Sequence, residues 1–165
     1  MPARKESPLS LVGYSPGLIG SITQAHAVYY HENWGFDLSF ESQVARELAG
    51  FLTRLDPGRD LFLAALMGEA FAGSVAVDGG EADAARLRWF IVEPAFQGRG
   101  IGWTLLKRAK EFAQKAGHGE LYLWTFAGLE AARHLYERAG FVLAEEHRLE
   151  KWGNTIVEQK YLLRF

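Results

Sequence analysis

The sequence predicts an α+β fold: a mixed central β-sheet of about seven strands flanked by four helices, in the order β-α-α-β-β-β-α-β-α-β-β. Three observations predict it. Two segments with helical spacing come early, three extended runs follow with only turn signals between them, and after that helices and strands mix without the strict alternation of a doubly wound sheet. The 165 residues, 48% hydrophobic and 13% aromatic, suit one domain over 1–165 with a single buried core and no linker or repeat.

The elements are justified in order. Ser15-Pro16 reads as an N-cap with proline at the first helical position, opening a helix with Leu18, Ile22, Ala25 and Tyr29 on one face and ending near Gly35. Phe40, Val44, Leu48, Phe51 and Leu55 make a second helix, stopped at Asp56-Pro57-Gly58 because proline cannot continue it. The runs 61–67, 70–77 and 84–92, separated by Gly68 and by Asp78-Gly79-Gly80, form an antiparallel meander. Beyond Pro94, the spacing of Ile101, Leu105, Ala109, Phe112 and Ala116 predicts a helix up to Gly117. A strand at 120–126 precedes a helix from about Gly128 to Ala139, with Leu129, Ala132, Tyr136 and Ala139 on one face and Gly140 at its C-cap. Strands near 141–150 and 155–164 flank the turn Trp152-Gly153-Asn154.

Composition excludes several functions. Net charge is −2, with Lys and Arg scattered, so no phosphate-tracking face for nucleic acid is expected. No apolar run reaches the roughly 18 residues of a membrane span, and Met1 to Glu6 lead into no signal-peptide core, so the expected location is cytoplasmic. The absence of cysteine removes a cysteine nucleophile, a disulfide and a thiolate metal site; no metal is expected.

The informative stretch is Gln97-Gly98-Arg99-Gly100-Ile101-Gly102, between a strand and a helix. Glycines there let a ligand lie against main-chain N–H groups at the positive end of the helix dipole, a place suited to a pyrophosphate, with Arg99 adding charge. Neither a Rossmann fingerprint nor a P-loop fits these residues. Alone they also suit a tight strand-to-helix connection with no ligand.

Two blocks decide between these readings. Val92-Glu93-Pro94 followed by Gln97, Gly100 and Gly102, and downstream Leu135-Tyr136-Glu137 with Gly140-Phe141, resemble the GNAT superfamily of acetyl-CoA-dependent N-acetyltransferases, in family order and over nearly the whole chain. The segments at 29–51, 123–141 and 152–159 further resemble the acetyltransferase half of chains that fuse a MarR-type winged-helix regulator to such a domain; the winged helix has no counterpart in these residues, so a DNA-linked role is not expected.

The resemblance implies the GNAT fold, acetyl-CoA as co-substrate, and direct transfer to a neutral amine. It puts a thioester-oxygen site on main-chain N–H groups around Phe90, Ile91 and Val92, and the pyrophosphate on Gln97, Gly98, Arg99, Gly100, Ile101 and Gly102. It gives Tyr136 the role of general acid toward the departing thiolate, although by spacing alone Tyr136 suits the core better. Relatives with a fourth-strand carboxylate base have no match in 84–92; Glu69, His26 or water remain open, and no base is assigned. Leu129 stands where many relatives have a CoA-contacting asparagine.

The acceptor is expected to enter past the first two helices, where His26, Tyr30 and Trp34 fit either an aromatic wall for an ammonium or plain packing on the sheet. Arg86 and Arg88 fit either a substrate carboxylate or, more commonly, strand salt bridges, and Trp103 reads as exposed packing rather than a cofactor or dimer contact. The expected activity is acetyl transfer to a primary amine of a small or amino-acid-like molecule. Protein lysine or N-terminal acetylation, or acyl-CoA sensing without turnover, are the alternatives. A homodimer is compatible with the sequence.

Overall fold

In the computed structural model, which describes residues 7–165, the elements follow one another in the predicted order. They are β1 Leu9–Val12, α1 Leu18–Trp34, α2 Leu38–Thr53, β2 Leu61–Met67, β3 Ala70–Asp78, β4 Ala84–Val92, α3 Ile101–Lys115, β5 Glu120–Phe126, α4 Glu130–Ala139, β6 Val142–Lys151 and β7 Asn154–Arg164, with a 3₁₀ turn at Pro94–Phe96. Residues 1–6, read above for a targeting segment, lie outside the described residues.

The sheet order is β1-β2-β3-β4-β5-β7-β6. Every neighbouring pair is antiparallel except β4 and β5, which α3 joins as a crossover. That parallel pairing has three rungs, Ala84 with Glu120, Ala85 with Leu121 and Arg86 with Tyr122. From Leu87 onward β4 pairs with β3 alone, and a gap opens between β4 and β5.

A β-bulge shapes the far end of β4. Its register on β3 passes from Ala76–Arg88 to Ser74–Ile91, so Trp89 and Phe90 together stand opposite Val75. Trp89 has φ 46°, a left-handed conformation uncommon outside glycine, and the buried Ser74 hydroxyl holds it by donating to the Trp89 carbonyl at 2.7 Å. Gly73 admits the bulged strand: a Cβ there would stand 2.5 Å from the Ile91 carbonyl oxygen.

Both faces of the sheet are covered. Leu105, Leu106, Ala109 and Ala113 of α3 and Tyr136 and Ala139 of α4 pack with Leu87, Leu121 and Leu123 on one side. Leu18 and Ile22 of α1 and Phe40, Val44, Leu48 and Phe51 of α2 pack with Phe62, Ala76 and Trp89 on the other. Burying each of these large side chains stabilises by roughly 1.5–3 kcal/mol.

Two helix ends differ from the sequence reading. Ser15-Pro16 turn before α1 instead of capping it: Ser15 lends its carbonyl to Leu18 N–H at 3.2 Å, and Gly17, at φ 97°, is the N-cap. Leu55 lies beyond the end of α2, which starts instead from a cap the spacing did not reveal, Asp37, whose carboxylate accepts from Ser39 N–H at 3.0 Å.

Candidate active site

The start of α3 is built for close approach, by two different means. Gly98 and Gly100 take φ of 78° and 80°, and a Cβ on either would meet nothing within 4 Å. Gly102 is a packing glycine: its Cβ would reach Leu135 Cδ1 at 3.0 Å, and its absence lets α3 lie against β4 and α4. The first helical bond closes from Thr104 N–H to Gly100 at 3.1 Å, so the N–H groups of Ile101, Gly102 and Trp103 precede it without a helical acceptor.

These groups open onto a groove of about 620 Å³ that runs from Gln97, Gly98, Gly100, Ile101 and Gly102 along Phe90, Ile91 and Val92 to Tyr30, Trp34 and Leu129. Glu93 N–H bonds back to Ala72 of β3 at 2.8 Å, so by alternation Val92 turns its main-chain groups toward the gap. Gln97 Nε2 donates to that Val92 carbonyl at 3.2 Å. The Arg99 guanidinium stacks over Phe96 at 5.5 Å. Trp103, read above as exposed packing, lines the groove with Arg138 stacked on it at 4.0 Å; Arg138 carried no sequence signal of its own.

Through the gap between β4 and β5 the groove meets a second cavity of about 190 Å³ on the α1–α2 side, the two sharing Tyr30, Phe90, Leu129 and Ala132. Leu129, just before α4, stands at this junction. Tyr136 enters the second cavity from α4, its ring against Phe90, Phe141 and Tyr161 at about 6 Å. It is 6% exposed, its hydroxyl has no hydrogen-bond partner among the described residues, and burial pushes its pKa well above the usual tyrosine value. Tyr136, which spacing alone put in the core and the resemblance made a general acid, packs in the core cluster and also lines this cavity.

Of the expected acceptor wall, His26 lines only the second cavity, Trp34 only the groove, and Tyr30 both. Tyr30 stacks on Phe36 and meets Phe40 and Phe126 edge-on, and burial raises its pKa. Buried His26 donates from Nδ1 to the Ile22 carbonyl at 2.8 Å, so Nε2 is the nitrogen without a proton; burial lowers its pKa to about 4. Glu69 sits exposed in the β2–β3 turn, away from both cavities. The carboxylates that do line the second cavity, Glu47 of α2 and Glu158 of β7, were not anticipated, because only the packing of α2 and β7 beside β4 and β5 brings them there.

The Trp152-Gly153 turn roofs this cavity. Trp152 Nε1 donates to Gln43 at 2.9 Å, Asp37 N–H to the Trp152 carbonyl at 3.0 Å, and Asn154 to the Trp34 carbonyl at 2.7 Å. Among the described residues, no group of three or more His, Cys, Asp or Glu could hold a metal ion, and no helix is long and apolar enough to cross a membrane.

Comparison with known proteins bears on this arrangement. An N-acetyltransferase of Methanocaldococcus jannaschii of uncharacterised role is 37% identical over 59 residues, 36% of this chain and 26% of that protein. The N-acetylaspartate synthetase of Xenopus tropicalis is 31% identical over 109 residues, 64% of this chain and 40% of that one. The chain thus spans well under half the length of these relatives. Among solved structures, yncA of Salmonella typhimurium, determined with its cofactor acetyl-CoA, superposes with a TM-score of 0.77 at 16% identity, covering 94% of this chain and 93% of its own. None of this supports the likeness to MarR-type regulator fusions. The model of the acetyltransferase (GNAT) family matches residues 21–141, a span that takes in α2, the glycine-rich start of α3 and Tyr136, and the chain belongs to that family.

Proposed function

We propose that this chain moves the acetyl group of acetyl-CoA directly to the nitrogen of a primary amine on a small molecule. The observation that carries the proposal is the junction of groove and cavity at Phe90, Leu129 and Ala132, where an acyl donor from one side and an amine from the other can meet beside the Tyr136 hydroxyl, which has no hydrogen-bond partner among the described residues. The donor's pyrophosphate lies on the N–H groups at the start of α3, Arg138 and Arg99 supply positive charge nearby, and the rest of the cofactor follows the open edge of β4. A compact acceptor is favoured over a protein tail, because the cavity is about 190 Å³ and roofed by the tethered Trp152 turn.

In the reaction the amine lone pair attacks the thioester carbon, the new C–N bond forms and the C–S bond breaks. Main-chain N–H groups around Phe90 to Val92 stabilise charge on the oxygen. Tyr136, held as a neutral phenol by its raised pKa, gives its proton to the departing sulfur and regains one from solvent. The unprotonated Nε2 of His26 accepts a hydrogen bond from the amine, whose surplus proton leaves through water. No cysteine is present for an acyl-enzyme route.

Thiol release from acetyl-CoA across a panel of amines, amino acids and short peptides tests the activity. Amine-dependent release is expected for small acceptors, and Tyr136→Phe should lower kcat about 10²-fold with acetyl-CoA affinity and melting temperature nearly unchanged. A panel in which no amine stimulates release overturns the proposal; a Phe variant within threefold of the parent returns Tyr136 to packing alone.

A further inference from the structure

Among the described residues the charges in the acceptor cavity are unevenly paired. Three cations line it, Arg86, Arg88 and Lys151, against two carboxylates, Glu47 and Glu158. Arg88 is ion-paired with Glu47 and, at 3.4 Å, with Asp78, and it stacks over Trp89 at 4.2 Å. Lys151 pairs with Glu158 at 3.7 Å and lies over Trp152. Arg86 has no ion pair or hydrogen bond among the described residues, and its buried Nε is one of the few sealed polar atoms without a partner. Burial and the charge of Arg88 act against its protonated form, Tyr122, Glu47 and Asp78 act for it from beyond ion-pair distance, and the guanidinium stays charged. A half-buried guanidinium whose sealed Nε has no hydrogen-bond partner leaves donors unsatisfied, and such a group beside a cavity gains when an anion arrives to accept from it.

The position fits an anchoring role. Arg86 and Tyr122 form the last rung of the β4–β5 pairing, and the gap opens immediately beyond. Arg86 therefore marks one end of the acceptor space, while Phe90 and Tyr136 mark the place of reaction, four residues further along β4 and on α4. We propose that the acceptor is an amine that carries a carboxylate, as amino acids do, with the carboxylate held by Arg86 and the amine turned toward Phe90 and Tyr136. The pairing of Arg88 leaves Arg86 as the cation available for this. A planar guanidinium takes a carboxylate through two parallel hydrogen bonds, which fixes the acceptor's direction as well as its charge.

This inference rests on the acetyl-transfer reading above and names its substrate class. The test compares, by thiol release, amino acids with their carboxamides and with the matching amines that lack the carboxyl group, for the parent and for Arg86→Gln. The parent should favour the acid by about 10²-fold or more in kcat/KM, because a site built to bind a polar group discriminates strongly against ligands lacking it. In Arg86→Gln that ratio should shrink to within about threefold, chiefly through KM. Acetyl-CoA affinity by calorimetry and melting temperature establish that the variant is folded; should it not fold, Arg86→Lys, which keeps the charge and loses the two-pronged geometry, should still reduce the ratio at least fivefold. Equal use of acids and carboxamides by the parent, or a ratio that survives either substitution, overturns the assignment to Arg86 while leaving acetyl transfer standing. A panel in which no acceptor of any kind stimulates release overturns acetyl transfer itself, and this inference with it.

Discussion

His26 shows how much a single side chain's setting matters. An exposed histidine titrates near 6.5, whereas this one, buried with Nδ1 tied to Ile22, titrates at about 4. Below pH 6.5 the unfolded chain takes up a proton that the folded chain refuses until about pH 4. The stability this residue contributes is therefore complete above 6.5 and is lost as the pH falls toward 4, amounting to roughly 3 kcal/mol. Urea unfolding of the parent and of His26→Gln between pH 7.5 and 4.5 should show a steeper acid loss in the parent; parallel curves would rule out His26 as the source. At this scale the sequence is least legible. Arg86 and Arg88 look alike in the strand, and only the packing of α2 ion-pairs one of them with Glu47 and leaves the other with no ion pair or hydrogen bond among the described residues. Likewise Trp103 sits off its helix's apolar stripe, and nothing in the spacing revealed that Arg138 of α4 would stack on it at the groove.

Among the elements, α3 was the most legible and the bulged end of β4 the least. The start of α3 is announced by local punctuation, a proline and three glycines ahead of a 3.6-residue apolar repeat, and local signals survive folding. The bulge is set across strands by Gly73 and Ser74 of β3 meeting Trp89 and Ile91, a contact between residues some fifteen or more positions apart that no window along the chain contains. The three glycines, read as one phosphate site, divide into two in left-handed backbone and one that packs against Leu135. This division yields a prediction. Gly100→Ala meets no neighbour but forces an L-residue to φ 80°, costing about 1–2 kcal/mol of stability, with modest loss of acetyl-CoA binding. Gly100→Glu adds a carboxylate where the proposed function puts the pyrophosphate and should lower acetyl-CoA affinity by well over tenfold. Calorimetric titration of both variants checks this, and a folded Glu variant that binds like the parent would move the pyrophosphate elsewhere.

For the molecule as a whole, the order of elements and the mixed sheet were legible because each element carries its own period and its own stop signal. The consequence of the sheet's central pairing was not, since nothing in the run from Ala84 to Val92 tells a strand paired on both sides from one paired on both sides for three rungs only. Those three rungs, with the Gly119 N–H to Asp83 carbonyl bond just before them, are the strand pairing that joins β1–β4 to β5–β7 among the described residues. On the proposed function, acetyl-CoA occupies the edge of β4 beyond them, so the co-substrate serves as a splint across two half-sheets as well as a reagent. Isotope exchange at individual amides should report this. The Val92 amide, facing the gap, should exchange rapidly in the free protein and slow at least tenfold with saturating acetyl-CoA. The Glu93 amide beside it, already bonded to Ala72, should stay protected in both states. If Val92 exchanged at the same rate with and without acetyl-CoA, the splint would be excluded. If it slowed as expected, each turnover would join the two half-sheets and each departure of CoA would release them, making the wholeness of the sheet a property that comes and goes with the catalytic cycle.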